Sequence, residues 1–221
     1  MRDRAENQIK QIELILLRHG ETASNQEHRY LGRTEEDLSA EGIEKLQKEK
    51  EKGSGRSVDI LFCSPMKRCI QTAQILYPDK KPFLIPEWRE MDFGRFEGKN
   101  YPELQNDPQY QAWIDSNGTI PFPDGESREG FIDRCSRGLY RMCEQLTTKE
   151  YFKKSGKDKK SGEASRNVVA GAVVHGGTIM ALLSRFGGGD YFDYQVSNGH
   201  GYSCILQWEP DRIVLGIRKK I

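Results

Sequence analysis

Three places in this 221-residue sequence set reactive or anion-binding side chains directly after an apolar run. Leu14–Leu17 ends in Arg18-His19-Gly20, and Val58–Cys63 ends in Ser64-Pro65-Met66-Lys67-Arg68. "NVVAGAVV" ends in His175-Gly176-Gly177. A guanidinium is a planar fork of donors that matches two oxygens of a phosphate group. An imidazole with one unprotonated nitrogen is a nucleophile. Gly20 permits close backbone approach and a positive φ, and the Gly176-Gly177 pair predicts a tight turn with exposed N–H groups. Two arginines and two histidines so placed are suited to chemistry on a phosphate. Cleaving a phosphate ester also needs an acid for the departing alkoxide. "EWREMDFGRFEG" offers Glu87, Glu90, Asp92 and Glu97. The pattern does not decide among them, although Glu90 is slightly favoured because it follows an apolar run and precedes an irregular stretch. His28 and His200 read as surface or turn histidines, and Arg33, Arg89 and Arg95 as surface charges.

These residues need rigid mounts. The run Ile12–Leu17 is aliphatic at every position but Glu13, the pattern of a strand buried on both faces. "DLSAEGIEKLQKEKEK" predicts a helix capped by Ser39 with Glu41 in its first turn. Val58–Cys63 predicts a second strand, and Ser64-Pro65 a further helix with Ser64 as N-cap and Pro65 at its first position. "KPFLIPEW" predicts a short third strand. Residues 94–126 hold four of the nine prolines and several glycines, and read as an irregular cap region with short helices. Ser127 should cap a helix whose apolar face is Phe131, Cys135, Leu139, Met142 and Leu146. A flexible lysine-rich loop is expected near 150–166. "NVVAGAVVHGG" is a fourth strand, and "GYSCILQWEP" with "RIVLGIRKK" a terminal hairpin turning at Pro210-Asp211. Alternating strands and helices predict an α/β fold whose site lies beyond the carboxyl ends of the strands.

The expected organisation is a polar N-terminal tail over residues 1–11 followed by one domain over 12–221, a length that suits a single domain. Basic residues number 34 against 33 acidic, a net charge of +1, so no global field favours nucleic acid or a membrane surface. The five cysteines include no C-x-x-C pair, which argues against zinc. They read as reduced thiols of a cytoplasmic protein. No segment reaches the roughly 18 apolar residues of a membrane span.

"LLRHGET" with "SNQEHRYLGRTEEDLSAEG", then "CSPMKRCIQTAQIL", "WREMDFGRFEGKNYPEL", "DGES" and "VVHGG" resemble, in that order, the histidine phosphatase superfamily in its phosphoglycerate-mutase-like branch. The resemblance implies a three-layer α/β/α sandwich with a mixed, mostly parallel sheet. It implies a metal-independent phosphomonoester hydrolase with no cofactor, acting on a small phosphorylated metabolite. His19 would become a phosphohistidine, and Glu90 would be the proton donor. Arg18, Arg68 and a protonated His175 would hold the phosphoryl oxygens. Thr22 and Asn25 would line the phosphate pocket, with the backbone of Gly20 and Gly176 beside it. "EMDFGRFEGKNYPEL" is most similar to the α-ribazole phosphatase group, a label shared with broad-specificity phosphatases, so α-ribazole 5′-phosphate is a candidate substrate. One alternative is a cofactor-dependent phosphoglycerate mutase. Asp92-Phe93 stands where a mutase would carry His-Tyr, and Lys99–Gly125 holds no arginine and one lysine. The other is a non-catalytic phospho-ligand binder, which would not need both a nucleophile and an acid.

Overall fold

The computed structural model describes residues 10–52, 57–148, 168–210 and 212–221. Most of the expected polar tail and the whole lysine-rich loop lie outside the described residues. The first strand, β1 (Lys10–Arg18), starts two residues before the aliphatic run, because Lys10 and Gln11 already pair with Trp208 and Gln207. A short helix α1 (Ala23–Gln26) follows, then α2 (Ala40–Glu51), whose cap Ser39 accepts the Gly42 N–H through Oγ at 3.0 Å. β2 (Ile60–Cys63) leads into α3 (Lys67–Leu76), and β3 is only Phe83–Leu84. A 3₁₀ turn at Pro86–Trp88 precedes the cap region, which carries a second at Gly94–Phe96 and the short helices α4 (Tyr101–Leu104) and α5 (Pro108–Asp115). The long helix α6 (Arg128–Thr148) precedes β4 (Val169–Val174) and α7 (Gly176–Phe186). β5 (Gly201–Glu209) and β6 (Arg212–Lys220) form the terminal hairpin.

The six strands form one sheet in the order β3-β2-β4-β1-β5-β6. The first four are parallel, and β5 and β6 are antiparallel to their neighbours. One face, with Leu14, Leu16 and Phe62, packs on α6 and α7 through Phe131, Leu139 and Leu182. The other, with Ile15, Leu17 and Val173, packs on Cys69 and Ala73 of α3. The molecule is therefore an α/β/α sandwich with a mixed, mostly parallel sheet. Covering both faces explains why the central strands are apolar at successive positions instead of alternating.

Two expected elements begin elsewhere. α3 starts at Lys67 with Met66 at the N-cap position, not at Ser64-Pro65. The reason is that Ser64 Oγ lies 2.8 Å from His175 Nε2 and serves the site instead of the helix. "KPFLIPEW" is mostly not strand, because Pro86 starts a 3₁₀ turn directly after Ile85. Within the cap, Phe93, Phe96, Tyr110, Trp113 and Phe122 pack on one another and on Tyr30, while Tyr101 is 62% exposed.

The Pro86–Trp88 turn docks on α6 through a glycine. A Cβ on Gly138 would lie 2.4 Å from Nε1 of Trp88. That indole is fully buried and donates to the Cys135 carbonyl at 3.2 Å, so it has no room to give. Gly138→Ala gains about 1 kcal/mol of helix propensity, but overpacking a rigid contact costs about 1–3 kcal/mol. The steric term should win, lowering the urea midpoint; a midpoint that rises would show that the turn yields.

Candidate active site

Strand register brings the three chemically capable segments together. Arg18 lies opposite Val174, and Cys63 opposite Val173. The ladder continues one step further, with the His19 N–H donating to the Val174 carbonyl and the Ser64 N–H to the Val173 carbonyl, both at 2.9 Å. His19, Ser64 and His175 thus leave the sheet side by side.

His19 is 3% exposed. Its Nδ1 lies 2.6 Å from the Gly20 carbonyl oxygen. A carbonyl only accepts, so Nδ1 carries the proton and Nε2 keeps its lone pair. The fully buried His175 ring meets the His19 ring edge-on, with centroids 5.2 Å apart. Burial, followed by the positive charges of Arg68 and Arg18, holds the His19 pKa well below the ordinary histidine range. Burial and then Arg68 do the same to His175. In the free enzyme a buried site already holding two guanidiniums therefore keeps this imidazole neutral, whereas the protonated His175 expected from the sequence belongs to the phosphate-bound site.

Arg68 is fully buried. Its Nη1 donates to the Thr34 carbonyl at 3.0 Å and its Nη2 to the Gly32 carbonyl at 2.7 Å. Arg18 Nη1 donates to the Val196 carbonyl at 2.7 Å. In both arginines Nε is buried and has no hydrogen-bond partner. Among the described residues neither guanidinium is in an ion pair with a carboxylate. Buried unpaired cations with unused donors are stable only if an anion is expected there. The N-terminus of α7 adds to this field, since its cap residue His175 makes no side-chain capping bond.

Of the four candidate acids, only Glu90 is buried, at 8% exposure. Asp92 pairs with Arg33 at 3.0 Å and Glu87 with Arg141 at 3.0 Å. Glu97 accepts the N–H groups of Gly32 and Thr34 at 2.8 and 3.0 Å, which fixes the loop whose carbonyls hold Arg68. Burial raises the Glu90 pKa, against the opposing pull of the Met91 N–H, Arg68 and Arg18. A carboxyl so placed is a proton donor in waiting.

Sequence reasoning missed the residue that sets Glu90 in place. Arg134 of α6 donates to the carbonyls of Glu87, Arg89 and Glu90 at 2.8, 2.9 and 3.3 Å. It also pairs with Glu126 at 2.7 Å. The available signal was its position three residues after Phe131, inside the apolar stripe of α6, where an arginine requires a partner. Asn198 was also missed. Its Nδ2 lies 3.2 Å from the carbonyls of His19 and Gly20 and 2.9 Å from Asn25 Oδ1, tying the β5 approach to the His19 turn.

The remaining expected pocket residues divide. Asn25 faces the open trench beside the site. Thr22 is the N-cap of α1, joined to Asn25 in a reciprocal capping pair, and so shapes the turn. Gly20 does not have a positive φ, and its N–H donates to Thr72 Oγ1 at 2.9 Å, leaving none for an anion. Glycine is needed there because a Cβ would lie 2.6 Å from Leu46 Cδ1. Gly176 lies against Arg18, and a Cβ there would stand at ordinary contact distance, 3.4 Å from its Nε. His28 and His200 are exposed and stand outside the buried cluster.

A family model described as the histidine phosphatase superfamily (branch 1) matches residues 14–153, and the chain belongs to that superfamily. It is 36% identical to the adenosylcobalamin/alpha-ribazole phosphatase of Escherichia coli (strain K12) over 138 residues, 60% of this chain and 68% of that one. The fold superposes on the alpha-ribazole phosphatase from Shigella flexneri with a TM-score of 0.71 and 25% identity, covering 93% of this chain and 95% of that one. It also superposes on a phosphoserine phosphatase variant from Entamoeba histolytica in complex with phosphoserine, with a TM-score of 0.68 and 25% identity over 92% and 94% of the two chains. The protein is a phosphatase.

The electrostatics predict a pH profile of stability. A histidine whose pKa falls on folding binds fewer protons when folded, so stability is lost as pH drops below the unfolded value of about 6.5. Glu90 acts in the opposite direction: its raised pKa stabilises at acid pH, and that contribution is lost as pH rises from about 4.3 through its folded value. Between about pH 7 and 5 the histidines should dominate, at up to about 1.4 kcal/mol per pH unit for each. Denaturant titration should show stability falling over that range, and the double variant His19→Asn, His175→Asn should flatten the fall. A flat profile in the native chain would contradict neutral histidines.

Proposed function

We propose that this phosphatase hydrolyses small phosphomonoesters through a phosphohistidine formed on His19, without a metal. The observation that carries the reading is the neutral His19, with Nε2 unprotonated, buried against two guanidiniums that lack an anionic partner. Phosphoryl transfer asks a protein mainly for positioning and charge stabilisation. Arg18 and Arg68 spread positive charge over the phosphoryl oxygens, and His175 and the α7 N-terminus add donors. Nε2 of His19 attacks phosphorus as the P–O bond to the leaving group breaks. Glu90 gives its proton to the departing oxygen. The Glu90 carboxylate then takes a proton from water, whose oxygen attacks phosphorus as the P–N bond breaks. Phosphate leaves, and both groups return to their starting states.

The substrate class is a small phosphorylated metabolite. α-Ribazole 5′-phosphate is the candidate that the similarity to α-ribazole phosphatases supports, and phosphoserine is a second that the superposition supports. A mutase reading is weaker, because the cap stretch Lys99–Gly125 holds one lysine and no arginine to grip a bisphosphorylated three-carbon acid.

Phosphate release from a panel of esters without added metal tests this reading. The panel holds p-nitrophenyl phosphate, α-ribazole 5′-phosphate, phosphoserine and 3-phosphoglycerate. His19→Ala should abolish release and the base-stable, acid-labile phosphoenzyme. Glu90→Gln should lower kcat/KM about 10²–10⁴-fold for alkyl esters, and much less for p-nitrophenyl phosphate, whose leaving group departs without a proton. Release that survives His19→Ala would overturn the nucleophile. An equal loss on both ester types in Glu90→Gln would overturn the acid. Phosphate affinity with no release by the native chain would return the binder reading.

A further inference from the structure

Beside the buried cluster runs an open trench of about 990 Å³. It shares Arg18, Gly20 and Asn25 with the site and passes the Asn198–His200 turn to reach α2. Its far wall is cationic. Lys45, Lys48 and Lys52 recur at positions three and four apart and so share one face of α2. At 1.5 Å per residue the row spans about 10 Å. Lys220, at the end of β6, also lines the trench. Six cationic side chains line it against the two carboxylates of Glu21 and Glu49. The chain as a whole is nearly neutral, so this is a local field, and it runs along α2.

The lysines are held loosely. Lys45 pairs with Glu21 at 2.7 Å, Lys48 with Glu44 at 2.5 Å and Lys52 with Glu49 at 2.8 Å, and all three lysine side chains are more than half exposed. Pairs of this kind contribute about 0–1 kcal/mol and exchange readily for a better anion. Lys220 donates to the Gln195 carbonyl at 2.9 Å and, among the described residues, is in no ion pair. The buried cluster grips one phosphate, while the trench leads from its edge to four cations that a compact monophosphate would not reach.

We propose that the trench binds a second anionic group of the substrate, so that the preferred esters are elongated small molecules with a second phosphate remote from the one removed. The proposal rests on the hydrolase reading and adds its specificity. It places the charges that would discriminate among esters on α2 and β6 instead of on a cap poor in cations.

A ruler of linear α,ω-alkanediol bisphosphates, each compared with its matched monophosphate, tests it. In the native chain one length should exceed its monophosphate by about tenfold in kcat/KM, through KM, at low ionic strength. The advantage should shrink in 0.5 M salt, because exposed charges are screened within about 3–10 Å there. The triple variant Lys48→Gln, Lys52→Gln, Lys220→Gln should lose the advantage, and its turnover of p-nitrophenyl phosphate checks that the buried cluster is intact. Bisphosphates no better than monophosphates at every length would overturn the proposal. So would an advantage that persists in a triple variant still active on p-nitrophenyl phosphate. Absence of turnover on every ester by the native chain would instead overturn the hydrolase reading, and this proposal with it.

Discussion

Two guanidinium groups, one fully buried and one half-buried, with no carboxylate paired to either among the described residues, are the constraint on which this structure turns. Arg68 is fully enclosed, and Arg18 stands beside it near the α7 N-terminus, each with an Nε donor that has no partner among the described residues. Charge in such a place costs several kcal/mol per ion. The surrounding protein offsets that cost with oriented dipoles, the carbonyls of Gly32, Thr34 and Val196. A carboxylate would neutralise the charge more simply, and would also occupy the place of the phosphate. Burial and the same uncompensated field together disfavour a second proton on either imidazole. The anion site and the nucleophile are therefore one electrostatic object.

Much of the architecture serves to keep this arrangement still. The level ends of β1, β4 and β2 fix His19, His175 and Ser64 as neighbours. Glu97 holds the loop that supplies carbonyls to Arg68. Arg134 reaches from α6 to the backbone that carries Glu90, so the acid is mounted on a 21-residue helix although its own segment is irregular. Asn198 binds the His19 turn to the approach of β5. None of these groups needs to touch a substrate to matter. Each removes a freedom that would let a charged side chain find a partner of its own.

The sequence made His19, Arg68 and His175 visible because each closes or follows an apolar run, and a polar group at such a place has few structural reasons to exist. The layers were legible for the same reason: runs like Leu14–Leu17 cannot be half-exposed strands. What stayed hidden depends on partners distant in the chain. Ser64 looked like a helix cap until His175 claimed it. Gly20 looked like a phosphate-binding backbone until Thr72 took its N–H. His175 looked like a cation, since its type and position say nothing of the two arginines that would surround it. The residues alone favoured Glu90 only slightly and the family resemblance chose it; the ion pair with Arg33 and the bond to Gly32 that occupy Asp92 and Glu97 are encoded by no local spacing.

The central claim is that burial, together with the field of two unpaired arginines, holds His19 neutral, with the proton on Nδ1 and a free Nε2. Nitrogen-15 NMR of the free enzyme, with the His19 signals assigned by comparison with His19→Ala, reads both facts at once. The account predicts one protonated and one unprotonated ring nitrogen at pH 6, with the protonated one assigned to Nδ1. An imidazolium at that pH, or a proton on Nε2, would contradict it.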